Sequence, residues 1–440
     1  MEPYQLTATE ALAKFKDGSL TVEGYARSLL SRIEKRDAAV KAWAYLDPDY
    51  VIEQARRLDQ IPPEKRGPLH GVGIAVKDVI YTKDMPTQHG SSIYEGDAPK
   101  VDAASIITLR HAGALILGKT TTTEFAATTA GPKTCNPHDR TRTPGGSSSG
   151  SGAAVGDFQA PIGLGTQTGG SMIRPASFNG VYALKPTWNS ISREGQKIYS
   201  LILDTLGIFA RSVEDLKLLA DVFELADDRP ADSVFEIKGA KFALLKTMVW
   251  PQAGPGTVAA MEAGARLLRE HGAEVEEIEL SSEFNKAPEW HGIVLHSDGR
   301  PSFLPEYRIA KDKMAPFLSD HVENSRKITR AAQLEAFDGI ATLRPQIDGI
   351  AKRYAAIITP SIPDEAPVGL GSTGSAAFNS IWTAFHTPVV NVPGFRGENG
   401  MPVGLSLVAA RYYDRHLLEV SKAVGEIFEA EGGWKRNVWM

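Results

Sequence analysis

The chain has 440 residues, 42% of them hydrophobic and 23% charged, with 48 Lys and Arg against 53 Asp and Glu for a net charge of -5. This composition supports a large core, and without a long basic run it argues against a nucleic-acid partner, because phosphate recognition needs clustered Lys and Arg. The single cysteine, Cys135, can build neither an internal disulfide nor, by itself, a zinc site.

Residues 1–15 mix charges among their apolar positions and lack the basic start and apolar core of a signal peptide. No run of roughly 18 apolar residues appears, so no spanning helix is expected. Residues 436–440 match no anchor or retention signal, and a cytoplasmic location is the expectation.

In chain order, residues 6–60 read as helical: Tyr25, Leu29, Leu30 and Ile33 share a face, and Thr21 is placed to cap it. From about 70 the pattern alternates. Val72 to Val76 reads as a buried strand. Asp102 is placed to cap a helix through Arg110, and Ala114 to Leu117 reads as a strand. Ser212 is expected to cap a helix to about Leu225, with Asp215 completing a capping box. Further strands are expected at Phe242–Leu245, Glu274–Ile278, Ala356–Thr359, Val389–Val392 and Leu405–Val408. Helices are expected at 257–270 and 415–429, with a surface connection at 228–235. Residues 281–340 show the least regular pattern. The alternation predicts an α/β fold.

Between 130 and 210, Gly, Ser, Thr and Pro are dense and charges sparse. Two runs stand out: Thr143-Pro-Gly-Gly-Ser-Ser-Ser-Gly-Ser-Gly152 and Gly165-Thr-Gln-Thr-Gly-Gly-Ser171. A flexible linker is one reading, but Ile162, Leu164 and Ile173 frame these runs with core-type residues. A P-loop is excluded, because no lysine occupies its register. The glycines would still let backbone N–H groups approach an anion, such as the transient oxyanion of acyl transfer.

Two schemes for amide or ester cleavage remain open at this level. In one, Gly146-Ser-Ser-Ser-Gly150 is a nucleophile elbow with Ser148 as nucleophile and a later histidine as base; His291, His296, His321, His386 and His416 are available. The preceding Asp139-Arg-Thr-Arg-Thr-Pro-Gly145 is a poor strand for that elbow. In the other, the base is Lys77, which follows the apolar Gly71–Val76. Burial would lower its pKa toward a useful range.

Taken together, the runs Gly71–Asp78, Gly145–Gly152 and Gly165–Pro175 resemble the amidase signature family. Further matches are Gly118-Lys-Thr120, Glu124-Phe-Ala126, Leu184-Lys-Pro-Thr187, Asp204-Thr-Leu-Gly207, Pro388-Val-Val-Asn-Val-Pro393 and Met401-Pro-Val-Gly-Leu-Ser406. The resemblance is specific from 70 to 215 and loose from 228 to 340. It implies a single large domain over 1–440, with a helical segment at 1–60, a catalytic core at 70–215 and a variable substrate-side segment at 228–340. Its central mixed, twisted β-sheet would carry helices on both faces.

By the same resemblance, Ser171 is the nucleophile, Ser147 (with a cis peptide bond) bridges, and Lys77 is the base. Backbone N–H groups of Thr168, Gly169, Gly170 and Ser171 form the oxyanion hole. The implied activity is amidase: hydrolysis of a linear C–N amide of a small molecule through an acyl-enzyme, with no metal or organic cofactor. Carbamate or ester hydrolysis, the Ser148 esterase, and an amidotransferase subunit needing partner proteins are the alternatives. A homodimer is admitted as an assembly.

Two positions depart from the family pattern: Ser149 replaces a usual glycine, and Gln167 replaces the commoner aspartate. In form, Gln167-Thr-Gly-Gly-Ser-Met-Ile-Arg-Pro175 is similar to malonamidase-like members, in which the arginine grips a substrate carboxylate. That form makes Arg174 a candidate substrate-binding residue. Trp188, Tyr199, Phe209, Trp290, His291 and Trp382 are candidates for an acyl pocket, although aromatic residues at such positions more often belong to the core.

Overall fold

The computed structural model of the chain describes residues 2–227 and 234–435. Most of the expected connection at 228–235 and the C-terminal segment 436–440 lie outside the described residues. In chain order the elements are α1 (Ala8–Asp17), α2 (Val22–Val40), β1 (Trp43–Leu46), α3 (Pro48–Asp59), β2 (Gly73–Lys77), α4 (Ala104–His111), β3 (Leu115–Thr120), α5 (Ser149–Gly156), β4 (Ile162–Gln167), α6 (Ile173–Asn179), β5 (Tyr182–Lys185), β6 (Thr205–Ala210) and α7 (Val213–Val222). Then follow β7 (Lys241–Leu245), α8 (Pro255–Glu270), β8 (Glu274–Ile278), α9 (Ala287–Ser302), α10 (Leu304–Ala310), α11 (Pro316–Glu323), α12 (Arg330–Ala351), β9 (Ala356–Pro360), α13 (Ala377–Ala384), β10 (Val389–Arg396), β11 (Pro402–Val408) and α14 (Asp414–Glu431).

The strands form one 11-stranded sheet in the order β1-β3-β2-β4-β6-β5-β10-β11-β9-β7-β8. It is mixed. β2 runs parallel to both β3 and β4, β7 runs parallel to β8 and β9, and the other pairs are antiparallel.

Side chains alternate across a pleated strand, and this splits the core in two. Ile74, Val76, Leu184, Ile208, Phe242, Leu244, Ile358, Val390 and Leu405 belong to one cluster, which includes residues of α4, α7, α8 and α14. The intervening positions point the other way: Ala75 toward α1–α3, Ala183 and Phe209 toward α5 and α6, and Ala243, Ile357 and Val389 toward α9, α12 and α13. Strands buried on both sides read as near-continuous apolar runs, which is why most were legible.

Several local expectations are corrected. The helical stretch 6–60 is interrupted by β1, an edge strand antiparallel to β3. Asp102 does not cap α4. Ala103 holds that position without a side-chain bond, while Asp102 accepts from the Lys83 N–H and lies 3.3 Å from Arg110 Nε. Ser212 does cap α7. Asp215 completes no capping box, because its carboxylate accepts from the N–H groups of Ala8 and Thr9 at the start of α1, both at 2.9 Å. A buried carboxylate serves two otherwise unpaired amides there.

Residues 281–340, the least regular in pattern, are mostly helix. Pro301 and Pro345 lie inside α9 and α12 and obscure the periodicity, yet Val294, Ala336 and Ile340 still share a buried cluster with Leu203 and Ala384.

Candidate active site

β2 and β4 are parallel neighbours, so Lys77 and Gln167 end their strands on the same side of the sheet. The carboxyl ends of parallel strands are where α/β folds build sites. The first Gly/Ser run is no linker. Every residue from Thr143 to Asp157 is buried, and Ser149–Gly156 is α5. Gly150 permits this packing: a Cβ there would stand 2.2 Å from the Ala42 carbonyl oxygen and 2.5 Å from the Thr121 nitrogen.

Lys77 Nζ is fully buried among hydroxyls. It lies 2.8 Å from Ser147 Oγ, 3.0 Å from Ser148 Oγ and 2.8 Å from Thr166 Oγ1. Lys119 and Lys185 are equally buried but differently held: Lys119 lies 3.4 Å from an Asp78 oxygen, and Lys185 Nζ donates to the carbonyls of Pro186 and Thr387. Burial pushes the Lys77 pKa well below 10.5. The Asp204 charge opposes that shift and the Arg174 charge adds to it.

The Gly146–Ser147 peptide bond is cis. Arg174 holds its carbonyl: Nη2 donates to Gly146 O, and Nη1 donates to Gly374 O at 2.9 Å. Arg174 is 5% exposed, and its guanidinium forms no ion pair with a carboxylate among the described residues. Burial lowers its pKa to about 10.

Ser171 lies between Gly170 and α6 and is 8% exposed. No hydrogen bond joins it to Ser147, and among the described residues its hydroxyl finds no partner. The backbone N–H groups of Thr168, Gly169, Gly170 and Ser171 likewise find no acceptor among the described residues. Four consecutive unpaired donors beside a serine hydroxyl are what an oxyanion requires.

Ser148 is fully buried. Besides Lys77, its Oγ faces the main chain of Thr166, donating to the carbonyl and accepting from the N–H, both at 3.2 Å. The histidines expected for the alternative scheme are occupied elsewhere: His386 on Ile202 O, His416 on Ala355 O, His296 stacked on His321. None hydrogen-bonds to a serine of the two runs.

Three side chains around this loop have a role there that sequence reasoning did not assign. Asp204 accepts from Thr168 Oγ1 at 2.6 Å and from the Tyr199 N–H at 2.7 Å, and burial raises its pKa to about 6. Thr383 donates to Gly169 O at 2.8 Å. His291, named only as a possible pocket or base residue, holds Thr168 O through Nε2 at 2.9 Å. Asp204 was visible as part of a matched motif; nothing in the sequence marked Thr383. Of the other aromatic candidates, Phe209 and Trp382 are core, Tyr199 bonds His321, and Trp188 stacks on His386.

A mixed sheet carrying a buried lysine, a cis serine and a donor-rich Gly-Gly-Ser turn defines the class of the protein. The family model described as Amidase matches residues 25–418, and the chain belongs to the amidase family. Curated relatives include a Glutamyl-tRNA(Gln) amidotransferase subunit of Symbiobacterium thermophilum, 31% identical over 96% of each chain. The protein of the same name from Streptomyces coelicolor is 30% identical, covering 98% of this chain and 97% of its own. Among solved structures, a crystal structure of an amidase aligns with TM-score 0.86 and 27% identity, covering 97% of this chain and 100% of its own. Peptide amidase from Stenotrophomonas maltophilia aligns with TM-score 0.79 and 26% identity over 96% of each chain. These curated relatives are named for the amidotransferase, which corrects the expectation from motif form of a malonamidase-like kinship. No helix among the described residues is long and apolar enough to cross a membrane.

Proposed function

We propose that the site cleaves an amide C–N bond through an ester on Ser171. The observation that carries this reading is the position of Lys77 Nζ, buried and 2.8 Å from Ser147 Oγ. Neutral Lys77 takes the Ser147 proton as Ser147 takes that of Ser171. Ser171 Oγ attacks the carbonyl carbon, and the oxyanion is held by the N–H groups of 168–171. The relay then returns the proton to the leaving nitrogen, the C–N bond breaks, and the acyl-enzyme forms. Water attacks the ester with the same relay as base, releasing the carboxylate.

The setting of that chemistry is a second question. The full-length likeness to the Glutamyl-tRNA(Gln) amidotransferase relatives favours a role within an amidotransferase over a free-standing small-molecule amidase. In that setting the site frees ammonia from a primary amide while partner proteins use it. The free-standing reading draws on one observation, the buried Arg174 charge without a carboxylate partner among the described residues, which suits an amide that carries its own carboxylate. A cytoplasmic location belongs to either reading.

Labelling with a fluorophosphonate followed by peptide mapping tests the chemistry. Label on Ser171, absent from Ser171→Ala, is expected; label on Ser148 would overturn it. Release of ammonia from glutamine, asparagine, malonamate-like acids and primary aliphatic amides, or of the amine from anilides and N-substituted carbamates, by the purified chain alone tests the setting.

A further inference from the structure

The turn from β4 into α6 is gripped by its carbonyls. Thr168 O accepts from His291 Nε2 of α9 at 2.9 Å. Gly169 O accepts from Thr383 Oγ1 of α13 at 2.8 Å. Gly170 O accepts from the Arg174 N–H of α6 at 3.0 Å. In a trans peptide the C=O and N–H point in opposite directions. Each grip therefore turns the next N–H away from the element that holds it: Gly169 N–H away from His291, Gly170 N–H away from Thr383, and Ser171 N–H away from Arg174 N.

Gln167 sets the direction of one of these bonds. Its Oε1 accepts from the N–H groups of Met172 and Ile173 at 2.9 and 3.1 Å, which fixes the amide orientation. Its Nε2 then donates to Thr383 Oγ1 at 2.9 Å. A hydroxyl carries one proton. With its lone pair engaged by Gln167, Thr383 has Gly169 O at 2.8 Å as the nearer acceptor for that proton, the Asn379 carbonyl one helical turn back lying at 3.3 Å.

We infer that His291, Thr383 and Gln167 are positioning residues that orient the Gly169 and Gly170 N–H groups as oxyanion donors. The inference rests on the acyl-enzyme reading above. It gives the departure at Gln167 a physical role. A carboxylate of the same length would still accept from Met172 and Ile173, but it would also take the Thr383 proton and release Gly169 O.

The test is the second-order rate of Ser171 phosphonylation by a fluorophosphonate, followed by intact mass from pH 6 to 10, with thermal melting as the fold control. Thr383→Val, His291→Leu and Gln167→Glu are expected to slow labelling by up to about 10²-fold, the scale of a misplaced catalytic group and the lower end of the roughly 10²- to 10³-fold loss when an oxyanion donor is removed. The pH midpoint, which reports the base, is expected to stay in place. Thr383→Ser, which keeps the hydroxyl, is expected to restore the rate. Wild-type labelling rates in Thr383→Val and His291→Leu would overturn the inference, as would a Thr383→Ser variant as slow as the valine. If Thr383→Val does not fold, Gln167→Glu decides, and a wild-type rate there overturns the inference. A Ser171→Ala variant that still labels overturns the acyl-enzyme reading itself, so the two failures are distinguishable.

Discussion

Lys77 Nζ and Ser147 Oγ stand 2.8 Å apart in the interior, and no ion pair with a carboxylate holds the lysine among the described residues. A lysine so placed is a base when neutral. Its folded pKa lies below 10.5, so activity is expected to rise with pH through the folded value and to fall below it. Lys77→Met keeps most of the volume and removes the base, with an expected loss in kcat of about 10²- to 10⁴-fold. Stability also carries a sign. Between the folded and unfolded pKa values the unfolded chain binds the extra proton, so stability rises with pH across that window. In Lys77→Met, melting temperature against pH is expected to lose that slope.

Asp204 bears on the proposed base from the neighbouring loop. Its negative charge raises the Lys77 pKa. Asp204→Asn keeps an acceptor for the Tyr199 N–H and removes the charge, so the acid limb of kcat/KM is expected to shift to lower pH. A limb that stays in place, or moves upward, would separate Asp204 from the base.

Arg174 is expected to matter twice. Removing its donors from Gly146 O and Gly374 O in Arg174→Met should lower the melting temperature. If its charge also meets a substrate carboxylate, the preference for a carboxylate-bearing amide over its neutral analogue should fall by roughly tenfold or more, the scale of one charge-assisted bond. An unchanged preference in a kcat/KM comparison would leave Arg174 with the serine loop alone.

Glycines in the two runs are expected to differ in tolerance. Gly150→Ala sets a Cβ 2.2 Å from the Ala42 carbonyl oxygen and should destabilise by about 1–3 kcal/mol through overpacking. Gly169→Ala meets nothing nearer than Ala376 Cβ at 3.6 Å and should melt close to the wild type. Thermal denaturation of both variants checks the contrast.

The sequence by itself laid out the linear parts of the candidate site. Several strands buried on both faces read as apolar runs, although β4, β5 and β6 at the middle of the sheet were not read as strands, and two Gly/Ser segments with Lys77, Ser147 and Ser171 in order carried the family. It misread what depends on distant partners. Asp215 looked like a cap for its own helix and instead serves α1, more than two hundred residues away in sequence. The helices of 281–340 hid behind internal prolines. Only the tertiary structure decided which side chains grip the turn between β4 and α6. His291, Thr383 and Asp204 come from three different parts of the chain, and their bonds to that turn arise only once the sheet has brought α9, α13 and the loop before β6 together. The bonds of His291 and Thr383 to backbone carbonyls need a donor at one place, not a residue type in a register, so they leave no motif to read.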